Sequence, residues 1–161
     1  NVVTAQFSYC PIEYLPESIG NLSGLVTLSL IQCDIKALPE NIGKLKQLET
    51  LQISSSQLET LPESISHLKN LKNLGILWNQ EFQNNPNLFG FLENLENLNL
   101  SGNALEHLSN LENLKKLNVL NLSYNQLTEL PQILKGLISL KNLDLRQNLL
   151  KVLPENFGQL Q

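Results

Sequence analysis

Leu95-Glu96-Asn97-Leu98-Asn99-Leu100-Ser101-Gly102-Asn103-Ala104-Leu105 carries leucine at its first, fourth, sixth and eleventh positions and asparagine at its ninth. Leu98 and Leu100 alternate with Asn99, the period of a strand with one buried face. The same spacing begins again at Leu25, Leu48, Leu71, Leu117 and Leu140, and in a weaker form at Val2. The intervals, starting from Val2, are 23, 23, 23, 24, 22 and 23 residues. Self-similarity at such a period means stacked coils, each closing its core only against its neighbours. Seven units fill residues 1–161 as one domain.

The second half of several units is also shared. Leu15-Pro16-Glu17-Ser18-Ile19-Gly20-Asn21-Leu22 is matched by Leu38-Pro39-Glu40-Asn41-Ile42-Gly43-Lys44-Leu45, by Leu61-Pro62-Glu63-Ser64-Ile65-Ser66-His67-Leu68 and by Leu153-Pro154-Glu155-Asn156-Phe157-Gly158-Gln159-Leu160. Proline suits the first turn of a short helical segment, where its missing N–H has no partner to lose. Ile19 and Leu22, three apart, then form an apolar stripe facing the strands, as do Ile42 with Leu45 and Ile65 with Leu68.

These motifs, which span the whole chain, resemble the leucine-rich-repeat family. The LPxxIGxL halves are similar to the 23-residue repeats of bacterial and Ras-associated intracellular members. The resemblance implies an α/β solenoid: a right-handed horseshoe of seven coils, with a concave parallel β-sheet and convex short helical or 3₁₀ segments. It also implies a role for the ninth position, which reads Cys10, Cys33, Ser56, Asn79, Asn103, Asn125 and Asn148. In this family that residue points inward, where an amide satisfies backbone groups of neighbouring coils. Cys10 and Cys33 occupy equivalent, adjacent rungs at a separation a disulfide tolerates, but parallel side chains at a buried rung favour free thiols.

Two units break the period. In the fourth, Glu81 stands where the others have Leu or Ile, and one residue is inserted before the pattern resumes at Phe89 and Leu92. The fifth, with Leu105, Leu108, Leu111 and Leu114, lacks the proline and is one residue short. Compensated drift accounts for both; a bulge over 80–86 that makes a binding edge is the alternative.

The formal charge of −4 and the pI near 5.2 leave no basic footprint for nucleic acid. No run is long and apolar enough to span a membrane. The start, Asn1-Val2-Val3-Thr4, has neither Met nor a signal-peptide pattern, so targeting information is expected to have been removed. Catalysis requires convergent titratable groups, whereas the two histidines, His67 and His107, lie in no partner pattern. CxxC, HExxH, calcium-loop and phosphate-loop motifs are absent, so no metal or cofactor is expected.

What remains is recognition of a protein partner. Positions three, five, seven and eight point into the concave face, and the last three columns are neutral and polar except for Ile31, Leu77, Trp78, Tyr9 and Tyr124, with Asp144 and Arg146 in the last unit. Interface energy concentrates in Trp, Tyr and Arg anchors. The candidate contacts are therefore Trp78, Leu77, Ile31, Tyr9, Tyr124, Asn99, Asn121 and Arg146. Gly75 and Gly102 leave room for a recess beside Trp78; alternatively Trp78 folds onto Phe82. Two further readings stay open: a homodimer stacked through the solenoid ends, and the repeat portion of a larger signalling protein. Near-consensus repeats without cysteine-rich caps point to a bacterial source, with a secreted or surface location favoured over the cytoplasm.

Overall fold

A computed structural model describes residues 2–83, 88–130, 134 and 136–159. Seven strands, β1 (Thr4–Ser8), β2 (Thr27–Ile31), β3 (Thr50–Ser54), β4 (Asn73–Leu77), β5 (Asn97–Asn99), β6 (Val119–Asn121) and β7 (Asn142–Asp144), form one parallel sheet in sequential order. The register joins equivalent repeat positions: Thr4, Thr27, Thr50, Asn73, Asn97, Val119 and Asn142 pair in series. The insertion and deletion in the middle of the chain therefore leave the sheet in step.

The core is the stack of repeat leucines. First-position residues Leu25, Leu48, Leu71, Leu95 and Leu117 are wholly buried, as are the sixth-position residues Leu30, Ile53, Ile76 and Leu100. Each contributes roughly 1.5–3 kcal/mol by burial.

The returning segments are 3₁₀ turns: Glu17–Asn21, Glu40–Lys44, Glu63–His67, Phe89–Phe91 and Glu155–Gln159. Three residues per turn is the period that puts Ile42 and Leu45, or Ile65 and Leu68, on one buried side. The prolines sit one residue earlier than expected. Pro16, Pro39 and Pro62 are extended, with ψ of 150°, 152° and 152°, and lie before the turn rather than inside it. Their carbonyls accept the N–H of Ile19, Ile42 and Ile65, so each proline supplies the acceptor that opens its turn.

The two irregular coils keep the core filled. Phe82, 3% exposed, takes the apolar place that Leu58 holds one coil earlier, while Glu81 stays at the surface. The N–H of Gln83 bonds the Glu59 carbonyl just as Glu59 bonds Lys36, which locates the extra residue at 80–81. The proline-free fifth coil has no 3₁₀ turn over 104–116, yet Leu105, Leu108, Leu111 and Leu114 are all buried. Much of the 80–86 binding edge, Asn84-Asn85-Pro86, lies outside the described residues. Among the described residues no helix is long and apolar enough to cross a membrane.

Candidate binding face

Each coil leaves the sheet through a left-handed residue at position eight. Tyr9, Gln32, Ser55, Trp78, Gly102, Tyr124 and Gln147 have φ between 50° and 72°, a conformation that costs a residue with a Cβ roughly 1–2 kcal/mol. The bend is held by a bond to the next coil. Tyr9, Gln32, Ser55, Trp78, Gly102 and Tyr124 donate their N–H to the carbonyls of Ile31, Ser54, Leu77, Ser101, Ser123 and Arg146 at 2.8–3.0 Å. The side chains thrown outward by this bend include the exposed Tyr9, Trp78 and Tyr124.

At position nine the chain turns inward. Nδ2 of Asn103 donates to the carbonyls of Ile76 in the preceding coil (2.8 Å) and Leu100 in its own (2.9 Å), while its Oδ1 accepts the N–H of Asn79 at 2.9 Å. Asn79 reaches back to Ile53 and Leu58, Asn125 to Leu100 and Leu105, and Asn148 to Leu122 and Leu127. The earlier rungs are weaker. Cys33 donates its thiol to the Phe7 and Ile31 carbonyls at 3.7 and 3.6 Å; among the described residues Cys10 and Ser56 bond only the Ser8 and Ser54 carbonyls of their own coils. Both cysteines are free thiols.

Position five divides the coils again. Oδ1 of Asn99 accepts the N–H of Ser101, Oδ1 of Asn121 that of Ser123, and Oδ1 of Asp144 that of Arg146, at 2.9–3.1 Å. These are Asx turns, in which a side chain captures a backbone donor two residues on. The oxygens of Asn99 and Asn121 face the concave side already engaged.

Trp78 and Tyr124, two coils apart, meet with ring centroids 5.4 Å apart and planes inclined at 43°. Gly102 lies between them, and a Cβ there would collide with the Trp78 ring. Its six counterparts carry side chains at the same φ, so the ring, not the backbone, demands glycine. Two expectations change here: Trp78 rests on Gly102 and Tyr124 while Phe82 is buried in the core, and the space left by Gly102 is filled rather than open. Trp78 and Tyr124 are 46% and 48% exposed, a tilted aromatic pair with a free outer surface. Leu77 and Ile31 are half-buried on the sheet, and Tyr9 is remote on the first coil.

Arg146 pairs with Asp144, its Nη2 at 2.7 Å from Oδ2 and its Nε at 3.0 Å from Oδ1. The bonded guanidinium holds the Asp144 carboxyl below its ordinary value, and the carboxylate raises the guanidinium in turn. Asp144 and Arg146 were named in the sequence, but their pairing was not; the signal was an acid and a base two residues apart on the same face. Nor was the chain along position three, where Asn97 donates to Asn73 at 2.7 Å and Asn73 to Thr50 at 3.1 Å. Among the described residues no three His, Cys, Asp or Glu side chains form a metal-sized group.

Residues 10–119 match a family model described as a leucine-rich repeat region, and 116–137 and 139–160 each match one described as a leucine-rich repeat. No curated protein matches the sequence significantly. A solved leucine-rich-repeat protein of Leptospira interrogans is 34% identical, with a TM-score of 0.92 over 99% of this chain and 41% of that one. The chain is also similar to TLR13 in its complex with ssRNA13 (26%, TM-score 0.79, 98% of this chain and 23% of that). A third likeness is to the plant peptide hormone receptor RGFR1 in complex with RGF2 (28%, 0.70, 91% and 28%). This chain thus spans less than half the length of each. The family model covering more than half of the sequence, together with the in-register seven-strand solenoid, establishes that the chain belongs to the leucine-rich-repeat family.

Proposed function

We propose that this chain is a non-catalytic scaffold that recognises a protein partner through its concave sheet face. The fold is one typical of protein-interaction scaffolds. The observation that carries the reading is the Trp78–Tyr124 pair: two large rings, about half exposed, held in place by Gly102 beside the apolar Leu77. Rigid aromatic anchors of this kind dominate interface energy because little conformational freedom is lost on contact. Ile31 and Tyr9 extend the surface toward the first coil; Asn99, Asn121 and Arg146 flank it with polar groups already bonded within the chain.

The neighbour RGFR1 was solved with RGF2 and TLR13 with ssRNA13, so charge discriminates between partner classes. Positions three, five, seven and eight carry no ionisable group other than Tyr through the first six coils, and the one cation among them, Arg146, is tied to Asp144. Phosphate recognition needs unpaired cations, which favours a protein. His67 and His107 are exposed on different coils, which supports a role without catalysis. Likeness to the Leptospira protein supports a bacterial source.

The test is capture of a partner from bacterial or host extract by the wild type and by Trp78→Ala, Leu77→Ser, with folding verified by circular dichroism. Loss of capture is expected. Undiminished capture by the folded variant rejects the concave-face reading.

A further inference from the structure

Gly75 is the one position-five residue without a side chain, in a column otherwise made of Gln6, Ser29, Gln52, Asn99, Asn121 and Asp144. The backbone does not require glycine there. Gly75 lies mid-strand in β4, in regular register between Gln52 and Asn99, and Gly102 is the glycine with positive φ. Glycine inside a strand weakens it and commonly marks a place where a ligand or another chain approaches closely. Here a shallow recess of about 180 Å³ opens over it, walled by Thr50, Gln52, Asn73, Leu77, Asn97 and Asn99. The walls are held: Asn97 bonds Asn73, Asn73 bonds Thr50, and Asn99 caps the Ser101 N–H.

We propose that this recess is a specificity pocket for one uncharged, branched aliphatic side chain of a partner polypeptide, seated next to the Trp78–Tyr124 anchor. The inference rests on the concave-face reading above and adds the chemistry of the occupant. Leu77, whose Cδ1 lies against Gly75 where a Cβ would meet it at 2.9 Å, supplies the apolar surface of the recess, and amides and hydroxyls form the rim. None of the lining residues is ionisable. A charged group entering would give up hydration without meeting a counter-ion, an unfavourable exchange.

The experiment is a ¹H–¹⁵N NMR titration of the whole chain with isobutyramide, which carries the branched tip of leucine on a neutral amide, alongside isobutyrate and isobutylammonium. Saturable shifts are expected at the Gly75 and Leu77 amides and the Asn73 and Asn97 side chains, with the two ions about tenfold weaker or more. Gly75→Ala should abolish the response: its Cβ would meet Leu77 Cδ1 at 2.9 Å, the movable end of a side chain, so the variant retains the native spectrum. The comparison of ions is made on the unaltered chain and decides the matter even if that variant fails to fold. No saturable shift at Gly75, or equal responses to neutral and charged probes, overturns the pocket. Saturable shifts at the same residues with N-acetylglucosamine but not isobutyramide overturn it in favour of a carbohydrate. A silent recess combined with loss of capture by Trp78→Ala, Leu77→Ser removes this inference and leaves the concave-face reading; undiminished capture removes both.

Discussion

In the first three coils the strands run for five residues, position five is Gln6, Ser29 or Gln52, and the inner rung is Cys10, Cys33 or Ser56. In the last three the strands run for three residues, position five is Asn99, Asn121 or Asp144, and the rung is always asparagine. The fourth coil separates the two variables, because it pairs Gly75 with Asn79 and its strand is still five residues long. Position five, not position nine, therefore sets strand length. An Asx side chain is short enough to take the position-seven N–H, which in a regular parallel ladder would bond the previous strand. The rung asparagine supplies a replacement, donating to the position-six carbonyl of the previous coil: Asn103 to Ile76, Asn125 to Leu100 and Asn148 to Leu122. One backbone bond is exchanged for two side-chain bonds, and the sheet ends earlier without orphaned donors or acceptors.

The comparison breaks most sharply at the rungs. Asn103→Ala strands the Ile76 carbonyl and the Asn79 N–H and leaves the Leu100 carbonyl to Asn125 alone, and at roughly 1–3 kcal/mol for a buried unsatisfied group, incompletely additive, a loss of about 3 kcal/mol is expected. Cys33→Ala, whose thiol contacts are long, should cost only about 1 kcal/mol. Urea denaturation of both variants measures the difference, and equal losses would mean that the two halves do not differ in how their coils are tied.

Asn121→Gln probes the strand ends. The longer side chain cannot close the Asx turn, and about 1 kcal/mol should be lost. Hydrogen exchange at the Ser123 amide should accelerate, while Gln52→Ala leaves Ser54 unchanged. Unaltered exchange at Ser123 would disprove position-five control. Strain at position eight is a smaller lever: Ser55→Gly, at φ 51°, should raise stability by up to about 1 kcal/mol by relieving the left-handed residue. Thermal unfolding shows it, and a lower melting temperature would place the strain elsewhere.

The least effect belongs to the Asp144–Arg146 pair at the last strand. Asp144 is held below its ordinary value by the bonded Arg146, so its stabilising contribution is complete above the unfolded carboxylate range and is lost as pH falls through the lowered value. Asp144→Asn keeps the Asx oxygen and removes the charge. Its melting temperature should fall slightly below wild type near neutrality, and the gap should close in acid. Because the arginine is 77% exposed, the gap should also shrink with salt. A gap independent of pH would assign the contribution to the turn and not to the charges.

The repeat period and the alternation around each strand are local facts, and with the resemblance to the family they carried the seven-coil solenoid, its register and its buried leucines. The period survives the irregular fourth and fifth coils because each coil answers only to its neighbours, so an extra residue at 80–81 is absorbed where it occurs. The candidate face was legible as columns of positions, which is why Trp78, Leu77, Tyr124 and the asparagines could be named. Their contacts were not legible. That Trp78 lies on Gly102 and meets Tyr124 depends on side chains from coils 22 to 46 residues apart in sequence, and that Asn99 and Asn121 face the partner side with their oxygens engaged, or that Leu77 lies against Gly75, depends on which rotamer each side chain takes. Periodicity determines which residues share a column, since it repeats along one chain. Which of them touch across columns is decided only once the coils stack, because distances between side chains depend on rotamers and on the space their neighbours leave.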